Sequence, residues 1–233
     1  HKYFLQLTLT VGIAFLKVVN GVNLALKFIN DTMEEIPLRD RILKISRHVV
    51  VNSGYKQLSM RKIARKTGVS ATSIYLHFDS KDHLLHALIE EAVDDLNNQL
   101  ESVVETANNA VERLRMLAEA YIKYALQNPE EYRIIYQVSS EDMQRYPKEK
   151  FRKARRGYEI VTNTIKQGVK AGFIEEEEPR IAAYVFWAQL HGTLSVLQSE
   201  RLDKRIEEHE FLDKSVQHVM NGFKLCTDVH ATV

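Results

Sequence analysis

Residues 58–81 read LSMRKIARKTGVSATSIYLHFDSK. Ile63 and Ala64 lie before a sharp break at Thr67-Gly68-Val69, and Ile74, Leu76 and Phe78 supply apolar groups beyond it. This layout predicts two short helices, over 59–67 and 70–78, joined by a tight turn. Ala64 is small enough for the two to cross closely. Gly68 tolerates the positive φ that such a turn demands, and Val69 can plug the space between the helices. Ser59 and Ser70 are the expected N-caps, since a serine oxygen accepts backbone N–H groups left unpaired in a first turn.

Ser70, Ala71, Thr72 and Ser73 then form the exposed leading turn of the second helix. Their short side chains allow the backbone to approach a surface. In a helix-turn-helix, that end faces base edges in the major groove. Serine and threonine can hydrogen-bond to more than one base, and the threonine methyl can touch a thymine methyl. Arg61 is long enough to reach a guanine edge or a phosphate. Tyr75, His77 and Lys81 offer a hydroxyl, an imidazole and an ammonium to phosphate oxygens, contacts that set register without reading sequence. Spacing alone also allows an ordinary two-helix corner with Tyr75 and His77 packed.

Charge separates these readings. Residues 39–81 hold ten Lys or Arg against two Asp, a net +8, whereas residues 82–141 hold four Lys or Arg against twelve carboxylates, a net −8. The overall formal charge of +1 hides this division. A basic end on an acidic body suits a protein that presents one face to a polyanion.

The stretch resembles the DNA-binding domain of TetR-type transcriptional regulators. That family's pattern is approximately IA-x-x-x-GVS-x-x-x-(I/L)Y-x-HF-x-(S/N)K. It is met here by Ile63-Ala64, Gly68-Val69-Ser70, Ile74-Tyr75, His77-Phe78 and Ser80-Lys81. Thr72 stands where many members carry glycine, a departure that bears on the bases contacted. A looser likeness to the Trp…His-Gly subgroup of that family lies at Trp187…His191-Gly192.

The resemblance implies an all-α protein. A three-helix helix-turn-helix domain over 33–81 would precede a helical-bundle effector-binding and dimerisation domain over 82–226 and a tail over 227–233. Ser59, Tyr75, His77 and Lys81 would lie near phosphates, Arg61, Ala71, Thr72 and Ser73 near bases, and Ser70 would belong to the same DNA-binding surface. The implied function is a ligand-responsive, sequence-specific regulator, a repressor released by a small molecule from a pseudo-palindromic double-stranded operator. Its homodimer would form through residues 179–201 and 210–226. The competing reading is a helical small-molecule-binding or interaction protein without DNA binding.

Nine glycines and four prolines in 233 residues leave long uninterrupted periodic stretches, as an all-α chain requires. Helices are expected over 37–52, 81–106, 108–127, 130–144, 147–171, 179–201 and 210–226. Gly54 would stop the first, and Asn128-Pro129 separates two later ones. Cys226 is the sole cysteine, so neither an intrachain disulfide nor a zinc-finger spacing exists. A cytoplasmic location is consistent with that.

Residues 3–16 are uncharged, but Lys17 and Lys27 interrupt any run near the 20 or so apolar residues of a membrane span. Met33 precedes the first family-like helix, so translation is expected to start there, with 1–32 non-native. The alternative is an extra N-terminal helix.

Tyr121 and Tyr124 share one helical face, as do Tyr132 and Tyr136. With Trp187 and His191 they could line an effector pocket of apolar walls and a few polar tips. Ordinary core packing, with each hydroxyl reaching water, is the competing reading. His83, His86 and Glu90 fall at i, i+3 and i+7, yet no cysteine or further acid converges with them, so no metal is expected. No cofactor is expected either. Walker, dinucleotide-binding, G-x-S-x-G and H-E-x-x-H motifs are all missing from the sequence, so nothing positive supports an enzyme.

Overall fold

The computed structural model describes residues 36–136 and 148–225; side chains of 148–154 and 224–225 fall outside that description. The expectations for residues 1–35, for helix across 137–147 and for the tail from Cys226 therefore lie outside the described residues.

The described residues are mostly helical. Pro37 fixes its own φ and lacks an N–H, and α1 (Leu38–Ser53) begins directly after it. Gly54, at φ 81°, ends α1 and donates its N–H to Val50 O at 2.9 Å. A 3-10 turn (Tyr55–Gln57) leads to α2 (Met60–Thr67) and α3 (Ala71–Tyr75). The 24-residue α4 (Lys81–Val104), about 36 Å long at the helical rise, runs from this head into the body. The body adds α5 (Ala110–Gln127), α6 (Pro129–Tyr136), α7 (Lys148–Lys170), α8 (Pro179–Gln198) and α9 (Glu208–Asn221). Asn109 caps α5 by accepting from Glu112 N.

One feature departs from the all-helical expectation. Ile174–Glu175 (β1) and Lys224–Leu225 (β2) pair antiparallel, with Ile174 opposite Leu225. Two residues are too few to leave an alternating pattern in a sequence.

Two apolar cores form. The head core gathers Ile42, Leu43, Val50, Ile63, Ile74 and Phe78, and continues into Leu84, Leu85 and Leu88 of α4. The body core joins α5, α7, α8 and α9 through residues such as Leu117, Ile165, Leu190 and Val219. Among the described residues, no helix is long and apolar enough to cross a membrane.

Helix α6 clamps the two cores together. Its Ile134 is fully buried in the head core, while Tyr132 is fully buried in the body core. Arg47 of α1 donates from Nη1 to Glu131 Oε1 of α6 at 2.8 Å and from Nη2 to Glu91 Oε2 of α4 at 2.5 Å. Arg133 Nη2 donates to Val51 O, in the last turn of α1, at 3.1 Å. Arg47 thus satisfies two carboxylates on two helices at a half-buried site. Arg47→Met leaves both acids facing each other without a cation and should cost about 2 kcal/mol of stability in urea unfolding. A change within about 0.5 kcal/mol, the usual range of a neutral surface substitution, would show that the clamp does not hold the domains.

Candidate nucleic-acid interface and effector site

The head carries α3 with Thr72 and Tyr75 exposed. Ser59 caps α2 by accepting from Lys62 N at 3.2 Å, and Ser70 caps α3 by accepting from Ser73 N at 3.0 Å. Gly68, in the left-handed region at φ 75°, closes α2 and turns the chain. Val69 N donates to Ala64 O at 3.0 Å, and the Val69 side chain packs half-buried against the head core. Both caps and the turn match the sequence expectation residue by residue.

Ser70 and Thr72 are exposed, while Ala71 and Ser73 are half-buried. The Ser73 hydroxyl pairs with Ser70 Oγ at 2.8 Å, which leaves Thr72 as the most outward polar side chain of the leading turn. Arg61, Tyr75 and His77 are also exposed. Lys81 is half-buried, with Nζ 4.0 Å from the centre of the Tyr55 ring, whose hydroxyl donates to Asp82. These contacts hold the ammonium at the head surface instead of letting it range through solvent.

Helix α3 is shorter than the sequence suggests. His77 N and Phe78 N both donate to Ile74 O at 3.0 Å, and this tight turn folds Phe78 back into the core. Leu76 was expected among the apolar supports of the turn. It is instead 81 % exposed, because the chain leaves the helix at Tyr75 and the inward register passes to Phe78. Leu76 therefore lies beside Thr72 and Tyr75 on the outer face, an apolar group that periodicity misassigned.

In the body, five of the six expected pocket residues form one ring cluster. Tyr121 meets Trp187 edge-on at 4.3 Å between centroids, Tyr132 lies 5.0 Å from Tyr136, and Tyr136 lies 4.9 Å from His191. Tyr132 Oη and His191 Nδ1 are hydrogen-bonded at 2.5 Å. Tyr124 is buried but makes no ring contact with this group, and its hydroxyl donates to Ala92 O of α4 at 2.9 Å. A cavity of about 190 Å³ adjoins the cluster, with Tyr136 and Trp187 in its wall. Its remaining described lining includes Asn97, Gly157 and Tyr158, none of which the sequence reading singled out. Among the described residues, no three His, Cys, Asp or Glu side chains converge on a metal position.

Burial keeps this cluster neutral. It pushes the Tyr132 hydroxyl up to about 12 and raises Tyr121 and Tyr136 as well. The same cause lowers the His191 imidazole below its ordinary value, favouring the uncharged ring. A histidine whose folded pKa is depressed binds fewer protons folded than unfolded. Its contribution is therefore intact above the unfolded value of about 6.5 and is lost as pH falls through the folded one. The melting temperature should fall between about pH 8 and about pH 5, and less steeply in His191→Gln, whose amide does not titrate there. Parallel pH profiles for the two proteins would show that His191 titrates as it would in solvent.

Comparison with known proteins agrees with this geometry. Residues 42–88 match the family model of bacterial regulatory proteins of the tetR family, and residues 114–221 match that of the tetracyclin repressor-like C-terminal domain. The chain is similar to the HTH-type transcriptional activator FasR of Mycolicibacterium smegmatis, with 31% identity over 99 residues, 42% of this chain and 45% of that protein. The match to FasR thus spans under half of its length. It is also similar to the fatty acid metabolism regulator protein of Bacillus subtilis, 22% identical over 185 residues, 78% of this chain and 95% of that one. Among solved structures, AibR in complex with isovaleryl coenzyme A and operator DNA shares the fold at a TM-score of 0.63 and 21% identity, over 78% of this chain and 97% of that one. With a matching head, a matching body and the helix-turn-helix between Ser59 and Phe78 in place, the chain belongs to the TetR family of regulatory proteins.

Proposed function

We propose that this chain is a sequence-specific DNA-binding regulator of transcription, a repressor that a small molecule releases from its operator. The observation that carries this reading is the leading turn of α3, with Ser70 and Thr72 exposed, on a head of net charge +8. The complex of AibR with isovaleryl coenzyme A and operator DNA, and the regulatory names of the other two relatives, support it. Both family models that match the chain are of regulatory or repressor-like proteins.

Base contacts fall to Arg61, Ala71, Thr72 and Ser73, and phosphate contacts to Ser59, Ser70, Tyr75, His77 and Lys81. Effector binding falls to the body cavity beside the ring cluster. Helix α6 carries the signal, since Tyr136 lines the cavity while Glu131, Arg133 and Ile134 of the same helix hold the head. A ligand that favours one setting of α6 then favours one head placement. Differential affinity for the two placements moves the population off DNA. With DNA as its partner, the protein works in the cytoplasm.

A second copy completes the reader. Ile181, Tyr184 and Val185 on one side of α8 are 61 %, 44 % and 49 % exposed, and the opposite side carries Phe186, Leu190 and Leu194 of the body core. The outer side of α8 and the adjoining face of α9 suit a four-helix seam with the same face of a partner. Two heads on one two-fold axis match a pseudo-palindromic operator. Val185→Glu should place two like charges near that axis and convert the dimer to monomer in sedimentation velocity. An unchanged dimer would place the seam elsewhere.

The division of labour in the head is testable by gel shift on a selected operator and on random DNA. Tyr75→Phe and Lys81→Ala should weaken both to a similar degree, and Lys81→Ala should also lower the salt slope by about one ion. Thr72→Ala should instead change the preference among operators by roughly tenfold. Equal losses on both DNAs for all three variants would contradict the assignment. No shift of any promoter fragment at low salt would overturn the DNA-binding reading itself.

A further inference from the structure

The body cavity carries more chemistry than its position alone. It lies between α4, α6, α7 and α8 and holds about 190 Å³. A cavity of about 150 Å³ accommodates a benzene ring, so this one has room for roughly seven or eight non-hydrogen atoms. Leu96, Leu100 and Ile135 give it aliphatic walls, and none of its described lining residues carries a charge.

A glycine stands in the wall where α7 approaches α4. A Cβ built on Gly157, in the middle of α7, would stand 3.3 Å from Asn97 Oδ1, 3.6 Å from Leu100 Cδ1 and 3.9 Å from Trp187 Cζ2. Glycine weakens a helix interior, and at 157 it permits α7 to come close to Asn97 of α4 beside the edge of the indole.

One wall group lacks what burial requires. Trp187 is 5 % exposed, and its indole Nε1 has no hydrogen-bond partner although the atom is out of solvent. Its rings are well packed, edge-on against Tyr121, Tyr158 and Phe186. An indole nitrogen only donates. A buried donor without an acceptor costs free energy, and a ligand acceptor would recover it. An anionic ligand would surrender its hydration to described lining residues that offer no cation.

We propose that the cavity takes a small uncharged carbonyl compound, the short acyl arm of a thioester or an amide, whose carbonyl oxygen accepts from Trp187 Nε1. The acyl chain packs on Leu96, Leu100 and Ile135. Gly157 sets the length that fits. Contact with Ile135 and neighbouring Tyr136 puts the arm directly against α6. This inference rests on the reading of the chain as a ligand-responsive regulator, but the binding it describes is measured on the protein alone, without DNA.

Trp187 is the only tryptophan of the chain, so its emission reports occupancy directly. The full chain is titrated with S-ethyl butanethioate and N-ethylbutanamide, which separate a thioester source from an amide source. Sodium butanoate and butyl ethyl sulfide serve as the charged probe and the probe without a carbonyl. At least one carbonyl probe should bind saturably, shift the emission and bind about tenfold or more tighter than the sulfide, with butanoate weaker still. In calorimetry, Trp187→Phe should lose about tenfold of that affinity and leave the sulfide unaffected. Gly157→Leu should abolish binding while the protein still melts cooperatively. Leu100→Phe fills the same space from α4 should Gly157→Leu unfold.

Butanoate binding as tightly as the carbonyl probes, Trp187→Phe leaving their affinity unchanged, or failure of both carbonyl probes to bind would each overturn the inference. If the protein still shifts operator DNA and another compound releases it, the regulatory reading survives that failure. If the carbonyl probes bind as described but no DNA is shifted, the cavity assignment stands and the regulatory reading falls.

Discussion

Everything in this structure depends on a helix that belongs to two cores at once. The described part of helix α6 spans eight residues, Pro129–Tyr136. It persists because Ile134 is sealed in the head and Tyr132 in the body. Arg47 then ties α1 to both α4 and α6 through Glu91 and Glu131. Movement of α6 against the body without movement of the head would have to break the Arg47 pairs or expose Ile134. A packed seam of this kind has few alternative settings, and few settings are what a two-state regulator needs.

The same constraint explains where the chain places its polar chemistry. Dipolar groups that stay neutral near physiological pH gather on the cavity side of α6: the Tyr132 and Tyr136 hydroxyls and the His191 ring. Charged groups gather on its head side: Glu130, Glu131 and Arg133 facing His48, Arg47 and the Val51 carbonyl. On the proposed reading, a neutral ligand arm is sensed by packing and one hydrogen bond, and the response passes through ion pairs, whose geometry tolerates little displacement before Coulomb energy is lost.

Local rules made the head legible in the sequence. Ser59, Gly68 and Ser70 act on backbone groups within four residues of themselves, so their roles could be read from spacing. The break at Gly54 was readable for the same reason. Leu76 was misread because apolar alternation at 74, 76 and 78 says nothing of where the helix stops, and the stop at Tyr75 decides which side chains turn inward.

Long-range pairings left little trace. The partners of Arg47 lie 44 and 84 residues away, and nothing near Arg47 announces them. Helical spacing grouped Tyr124 with Tyr121, yet the Ala92 carbonyl takes the Tyr124 hydroxyl. Asn97 and Gly157 define the cavity only because α4 and α7 cross there. Which side chains line the cavity follows from how α4, α6, α7 and α8 pack, not from spacing within any one helix.

The coupling of cavity to head is the central claim, and the separation between the two heads of the dimer measures it directly. Spin labels at Gln57→Cys, an exposed position in the 3-10 turn, with Cys226→Ser removing the sole native cysteine, allow that distance to be read by pulsed electron resonance. Any compound that releases the protein from its operator should move the distance distribution away from the one held on DNA. An identical distribution on the operator and with the releasing compound would contradict the account, because release would then not pass through the placement of the heads.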